Sequence, residues 1–448
     1  MDLVEQIGAL VEAQHRLSAA DAEAAAMSFE DTLAVTAAGW SEDSARIVRR
    51  IHGGAPGALV PADQGADPEH WALTMGIAGH ALDYDDVHLV SVTHPSVVLV
   101  PALLALADRN PDLVPRVLPA YAVGLGVNIA LGKALGFSHY DIGWHATSTI
   151  GPLSAAAALS HLLGLDARAA RNALSLAAAQ AGGMQRNFGT MAKHVQAGQA
   201  AAVAVRAARL AEAGMTGAED VFGPRGFLDL YGGPTPGQQP GRITVVPDTR
   251  SVSRKLFPCC YLTHRMIGAA LDLHAQLTGG LSPDARIVVE VPYGGMRPLH
   301  VTDPRDGAEA KFCAAYCVAT ALVQGRVALV DFTTEAVHRP AIRALMARVE
   351  TVEEPLRGPV PVGIDHGEVR IRIMRGNRCV AQSCVRSYPG APDAPAQPAQ
   401  FAAKIADCLA IGSHTTPEDF RTRLHARIGF DPRQGAAAPH IAETEATG

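Results

Sequence analysis

The 448-residue chain carries 38 Lys and Arg against 44 Asp and Glu, a formal charge of −6, with 48% hydrophobic and 18% charged residues. This composition excludes a disordered, solvating protein and supplies a large core, at ~150 residues per domain. The acidic balance argues against a nucleic-acid coat and against attachment to an anionic membrane surface.

Alanine runs through almost every segment while aromatics make up only 5%, so helix should dominate. No run reads as apolar for the ~20 residues a membrane span needs. The longest candidates, 95–106 and 151–165, are interrupted by Pro101 and His161. Asp2 and Glu5 precede the first apolar residues, unlike the basic start of a signal peptide, and a cytoplasmic location is the expectation. The seven cysteines, at 259, 260, 313, 317, 379, 384 and 408, include no C-x-x-C pair. They read as small core residues, not as zinc or iron–sulfur ligands.

In chain order, Leu3, Ile7, Leu10 and Val11 open an amphipathic helix. Asp166 caps a helix over 167–181 that stops at Gly182-Gly183, and another runs from about Gln196 to Ala213. The texture changes near Val252. Residues 285–292, 368–374 and 379–386 read as strands, the last two joined at Arg375-Gly376-Asn377. Helices are expected over 308–324 and 340–350, and a Pro-rich linker over 388–400. Thr416-Pro417 then starts a helix with Phe420, Leu424 and Ile428 on one face, closed by Gly429. The pattern predicts a mainly α protein: a large helical domain from both chain ends (1–254 and 400–448, frayed from about 431) with an inserted α+β lid, 255–399.

The segment 80–95 crowds His80, Asp83, Tyr84, Asp85, Asp86, His88 and His94 into little sequence. A metal site is the first reading to weigh, but no H-x-x-x-H or H-E-x-x-H pair occurs and the spacing matches no common metal loop. A helix end with solvated acids is the plain alternative. His145 after Gly143-Trp144, Lys193 in Met191-Ala192-Lys193, and Lys255 with His264 at the domain boundary are equally odd placements. Each alone reads as a satisfied core histidine or an ordinary charged hinge.

Together these segments resemble the MmgE/PrpD family, which includes 2-methylcitrate dehydratase, cis-aconitate decarboxylase and iminodisuccinate epimerase. Asp31-Thr32-Leu33-Ala34 is similar to its D-T-L-G. Leu82-Asp83-Tyr84-Asp85-Asp86 through Thr93-His94-Pro95-Ser96 is similar to its L-D-[FY]-D-D…H-P-S. Gly143-Trp144-His145-Ala146-Thr147, Met191-Ala192-Lys193, Lys255-Leu256-Phe257-Pro258-Cys259-Cys260 with Thr263-His264, and Ala310-Lys311-Phe312 to Tyr316 follow in the family's order. The resemblance runs from about Leu3 to Gly429.

The resemblance implies a helical domain with an α+β lid, a site in the cleft between them, a homodimer, and neither metal nor organic cofactor. It implies a small polycarboxylate as substrate, with no nucleic-acid or membrane partner. Asp83, His94, His145 and Lys193 are the implied catalytic residues, and Lys255, His264, Asp86 and Tyr316 the implied substrate-binding residues. Three departures stand out. Val87 and Cys260 occupy positions where cis-aconitate decarboxylase has threonine and histidine, and Gln196 replaces a common histidine. The loop from Asp83 to His94 is also one residue longer.

The expected activity is proton abstraction next to a carboxylate by a dehydratase-type lyase. An epimerase of a small dicarboxylate, or a carboxylate binder without catalysis, is the alternative. Lysines are needed because an unpaired carboxylate is costly to bury, and here Lys193 and Lys255 are expected to meet across the cleft. Histidine suits the base near neutral pH. His94 is the candidate base with Asp83 orienting it, and His145 the candidate acid.

Overall fold

The computed structural model describes residues 2–52, 59, 67–232, 243–277, 280–358, 363–413 and 415–432. Most of the tail expected to fray therefore lies outside the described residues. The helices are α1 (Leu3–Glu12), α2 (Ala19–Gly39), α3 (Asp43–His52), α4 (Pro68–Ala81), α5 (Ser96–Ala107), α6 (Val117–Asp141), α7 (Ala146–Leu163), α8 (Ala167–Ala178) and α9 (Met191–Glu212). After them come α10 (Phe227–Tyr231), α11 (His264–Gln276), α12 (Gly307–Ala310), α13 (Ala314–Gln324), α14 (Thr334–Val337), α15 (Pro340–Met346), α16 (Pro398–Gly412) and α17 (Pro417–Arg427). The strands are β1 (Arg286–Val291), β2 (Val349–Glu353), β3 (Val369–Arg375) and β4 (Arg378–Val385). The protein is mainly α-helical with one small sheet.

Local sequence explains where the helices begin. The Asp2 side chain and Glu5 close a capping box on α1, and Asp67 with Pro68 starts α4. Asp166 caps α8 through the Ala169 amide, as its sequence suggests. The helix expected from Gln196 starts five residues earlier, at Met191, so Lys193 sits in its first turn.

Small residues set the helix spacing. A Cβ on Gly76 would meet the Gly198 Cα at 2.7 Å, and one on Gly198 would meet the Leu73 carbonyl oxygen at 2.3 Å. Antiparallel helices α4 and α9 approach this closely only because both positions lack a side chain. That contact brings the end of α4 to the start of α9.

The sheet has the order β2-β1-β3-β4, with β1 and β2 parallel and the other pairs antiparallel. Along β3, Val369, Ile371 and Ile373 are buried while Arg370 is exposed, the alternation of a half-covered sheet. Helices α11 and α13 pack against the sheet. Two expected helices differ. The one over 340–350 ends at Met346 because β-branched Val349-Glu350-Thr351-Val352 pairs with the edge of β1. The one over 308–324 breaks after Ala310, and the freed Lys311 carbonyl accepts from the Cys260 amide at 3.0 Å.

Both ends of the chain contribute to one core. Phe29, Leu33 and Ala37 of α2 share a hydrophobic cluster with Phe401, Ile405, Phe420 and Leu424. The run Pro111–Asp141 corrects the expectation about apolar segments. It is apolar and long enough, by length and composition alone, to cross a membrane, but most of its apolar stretch is buried inside the protein. Its apolarity follows from its place as a core helix, with Tyr121, Leu125 and Leu131 fully covered.

Candidate active site

The site forms where α4 ends. Asp83 adopts φ 51, and Val92, later in the same loop, also has φ 51. Left-handed backbone is costly for a β-branched valine, so the surrounding contacts must hold this loop. The hydroxyls of Ser91 and Thr93 each donate to Asn128 Oδ1 at 2.8 Å. Four lysines from distant parts of the chain grip its first residues. Lys255 donates to the Asp83 carbonyl at 2.8 Å and Lys404 to the Tyr84 carbonyl at 2.8 Å. Lys311 reaches the Ala81 carbonyl at 3.3 Å, and Lys193 reaches the Asp83 carboxylate at 2.7 Å.

Asp83 is the hub. Its Oδ1 lies 2.7 Å from Lys193 Nζ and 3.1 Å from Lys255 Nζ. Lys193 and Lys255 therefore do meet, but on one oxygen of this protein's own carboxylate. Burial opposes ionisation of Asp83, yet Lys193 and Lys255 hold its carboxyl well below the usual range. Burial likewise opposes the charge of Lys255, but Asp83 and Asp85 outweigh it and its pKa is raised. A cation in the first turn of α9 runs against the helix dipole; the carboxylate of Asp83 offsets that cost.

Two further residues complete the network. His80, fully buried on the last turn of α4, places Nδ1 2.7 Å from Asp85 Oδ2 and Nε2 2.7 Å from Lys193 Nζ. The same Asp85 oxygen lies 3.1 Å from His94 Nδ1. His94 Nε2 is 3.9 Å from Asp83 Oδ1, so Asp85 is the nearer carboxylate, although His94 Nδ1 makes no hydrogen bond with it. Burial opposes the charge of Asp85, but His80 and His94 keep its carboxyl well below the usual range.

Burial pushes the imidazoles the other way. His94 is lowered to about 4 by desolvation despite Asp85, and His145 lies well below its ordinary value through burial and then through His80 and Lys193. Burial also lowers His80, against the pull of Asp85. The carboxylate beside His94 does not outweigh burial, so at neutral pH this ring is uncharged and offers a lone pair.

Asp83, His94, His145 and Lys193 line one cleft. Its remaining wall is largely apolar: Val87, Val92, Tyr140, Phe188, Phe312 and Ile364, with Cys260. Among the described residues, neither ring nitrogen of His145 has a hydrogen-bond partner, and Asp83 Oδ2 and Asp85 Oδ1 have none either. At the cleft wall, unpartnered atoms of His145, His94 and Asp83 suit a polar ligand.

The other sequence candidates fall outside the cleft wall. Asp86 is turned away: its carboxylate accepts from the Ser96 amide at 3.1 Å and from the Ser96 hydroxyl. Desolvation raises its pKa to about 7, with Ser96 pulling the other way. Tyr316 donates to the Asp331 carbonyl and packs on Phe332. His264 starts α11 between the rings of Phe257 and Tyr261. Lys255 lies behind Asp83. Of the three departures, Val87 and Cys260 line the cleft, whereas Gln196 accepts from the Met184 amide and donates to the Met184 carbonyl at 3.3 Å.

Reasoning from the sequence missed His80, Asp85, Tyr140 and Lys311. The first two were visible as members of the crowded segment 80–95. Burial lowers the Lys311 pKa to about 8.

Folding also gathers what spacing did not suggest. One ligand atom each from His80, Asp83, Asp85 and His94 lie within 4.8 Å of one another, a grouping able to hold a metal ion. The ammonium of Lys193 already contacts two of these residues at 2.7 Å. A divalent ion there would have to displace it.

Comparisons with known proteins agree with this architecture. The chain is 28% identical over 337 residues to mouse cis-aconitate decarboxylase, covering 70% of this chain and 67% of that protein. It is 30% identical over 305 residues to the human cis-aconitate decarboxylase, covering 64% and 62%. It is 28% identical over 324 residues to 2-methylcitrate dehydratase of Cupriavidus necator, covering 67% and 66%. The matches thus span about two thirds of the relatives' length. Residues 9–239 match the MmgE/PrpD N-terminal domain and residues 257–424 the MmgE/PrpD C-terminal domain, the latter reaching through α16, which packs on α2. The chain belongs to the MmgE/PrpD family.

Proposed function

We propose that the protein is a cofactor-independent lyase of dehydratase type, acting on a small di- or tricarboxylate by taking a proton from carbon next to a carboxylate. The observation that carries this reading is the meeting of neutral His94 with the Lys193–Asp83 pair at one cleft. His94 Nε2 takes the proton, and the charge that develops on the neighbouring carboxylate is met by Lys193. Dehydration then requires a proton for the departing hydroxyl. Two of the three N–H groups of Lys193 are engaged by His80 and Asp83, leaving one for the substrate. His145, held neutral, hydrogen-bonds the substrate and shares the return of the proton.

The relatives' names include both a decarboxylase and a dehydratase. Val87 and Cys260 make the cleft less polar where the resemblance to cis-aconitate decarboxylase calls for threonine and histidine, which favours dehydration. The family resemblance and the shared core of the two chain ends support a helical body (1–254 with 400–448), an α+β lid (255–399), a homodimer and a cytoplasmic location. Lys193 and Lys255, which fill the cation role beside Asp83, support metal-free action.

The test is solvent exchange in deuterium oxide with citrate, 2-methylcitrate, cis-aconitate and aspartate-derived diacids, read by mass spectrometry and chiral separation. A lyase of this kind incorporates deuterium and loses water with one of them. Exchange with inversion and no loss of water would make it an epimerase. No exchange with any would leave a carboxylate binder and reject the proposal.

A further inference from the structure

We infer that Asp85 and His80 are positioning residues that aim the Lys193 ammonium: the Asp85 carboxylate fixes the His80 tautomer, leaving His80 a lone pair that holds Lys193. This inference rests on the proton-transfer reading above.

The geometry constrains the protons. Asp85 Oδ2 lies 2.7 Å from His80 Nδ1 and 3.1 Å from His94 Nδ1. An ionised carboxylate only accepts, so the His80 Nδ1 bonded to it must carry hydrogen, whereas His94 Nδ1 makes no hydrogen bond with it. A neutral imidazole with Nδ1–H has a bare Nε2. For His80 it lies 2.7 Å from Lys193 Nζ, which donates to it. With the opposite His80 tautomer, Nε2–H would point at an ammonium while Asp85 faced a bare nitrogen. Both contacts would then be repulsive at 2.7 Å.

His80 also decides where Lys193 points. The ammonium has three N–H groups in tetrahedral directions. Fixing one on His80 and one on Asp83 Oδ1, both at 2.7 Å, fixes the third. Without His80 the flexible lysine stem would swing, and the donor meant for substrate would lose its direction. Charged and titratable groups face His80 from every side: Asp83 and Asp85 from the following loop, Lys193 and His194 from α9, His94 from the loop before α5, and His145 from the start of α7. Only Asp85 and Lys193 are within hydrogen-bonding distance of its ring nitrogens among the described residues. The close packing of α4 on α9 through Gly76 and Gly198 holds this spacing.

Two measurements test the inference on the full chain. Long-range proton–nitrogen NMR of histidine-labelled protein, assigned with His80→Gln, should show Nδ1 protonated and Nε2 bare in His80 near pH 7. Protonated Nε2 in this ring would overturn it, whatever the protein catalyses. In the exchange assay, His80→Gln retains an acceptor where Nε2 was and should keep at least ~10-fold more kcat/KM than His80→Leu. Asp85→Asn should lower kcat by ~10² or more with a smaller change in KM. If His80→Gln is no better than His80→Leu per folded molecule, the positioning role fails. Absence of exchange by the unsubstituted protein would instead sink the lyase proposal, and the NMR result would still decide the tautomers.

Discussion

Two buried aspartate–lysine contacts flank the acidic loop, and they differ by one contacting lysine. Asp31 of α2 meets Lys404 of α16 at 2.6 Å, with both side chains almost fully covered. Asp83 meets Lys193 and Lys255. With a single lysine, burial wins and the Asp31 pKa is raised. With two, the lysines win and Asp83 lies well below the usual range. Asp86 extends the series to a carboxylate whose hydrogen bonds come from Ser96, and burial raises it to about 7. Burial is common to all three; Lys193 and Lys255 together outweigh it at Asp83, whereas Lys404 and Arg254 do not outweigh it at Asp31. Lys404 also donates to the Tyr84 carbonyl and sits 4.2 Å above the Tyr84 ring, so the Asp31 pair ties the chain end to the loop. The Asp83 group opens on the cleft.

The strongest way to break this comparison is Asp83→Asn, which leaves two buried ammonium groups without their carboxylate. We expect kcat/KM to fall by ~10² or more and stability to fall by about 3–5 kcal/mol. Activity assays and chemical denaturation read the two effects separately. Unchanged stability would mean that Asp83 does not neutralise the lysines.

The acid side of the stability curve sharpens the series. Asp83 and Asp85 have depressed folded-state pKa values, so their contribution is present above the unfolded value of ~3.9 and disappears as pH falls below it. Asp86 is raised, so its ionisation costs stability as pH rises from ~3.9 to about 7. Asp86→Asn should flatten that decline in a pH series of thermal unfolding and leave the acid collapse in place. A collapse that moves with Asp86→Asn would assign the acid sensitivity to the wrong carboxylate.

Much of this contrast was legible beforehand, for local reasons. Capping residues and alternation gave α1, α8, α17, β3 and β4, because these depend on neighbours in sequence. Strand β2 was missed because only its pairing with β1 favours it over a longer α15. At the site, matches to a known family pointed to Asp83, His94, His145 and Lys193, which share the cleft. They also pointed to Asp86 and Tyr316, whose polar atoms are satisfied elsewhere. The role of Asp85 was hidden because its two imidazole partners are brought together by a turn with left-handed Asp83. The Lys193–His80 contact was hidden because it depends on a close approach of helices more than 100 residues apart.

Lys404→Met is the next smaller perturbation. It removes the lysine beside Asp31, whose pKa burial already raises, so Asp31 can neutralise by taking up a proton. The cost should be about 1–3 kcal/mol, much of it from the Tyr84 carbonyl left without a donor. kcat/KM of the folded fraction should stay near the unsubstituted value. A large loss of activity at unchanged stability would mean that Lys404 acts on the site through Tyr84.

The smallest effect is expected from changing both members of that pair. Asp31→Asn keeps the shape of the side chain and removes its charge, and Lys404→Met keeps an extended apolar stem. Together they leave no buried charge, and replacement of a buried ion pair by groups of similar volume is often neutral. The double variant should therefore lie within ~1 kcal/mol of the unsubstituted protein, closer than Lys404→Met alone. The difference between the double variant and the sum of the single ones measures the coupling of the pair. The same arithmetic applied to Asp83 gives the opposite expectation. Asp83→Asn combined with Lys255→Met still leaves Lys193 buried without a carboxylate at 2.7 Å, so stability should not return. Recovery in both doubles would mean that the second cation at Asp83 makes no difference, and the contrast between the two regions would collapse.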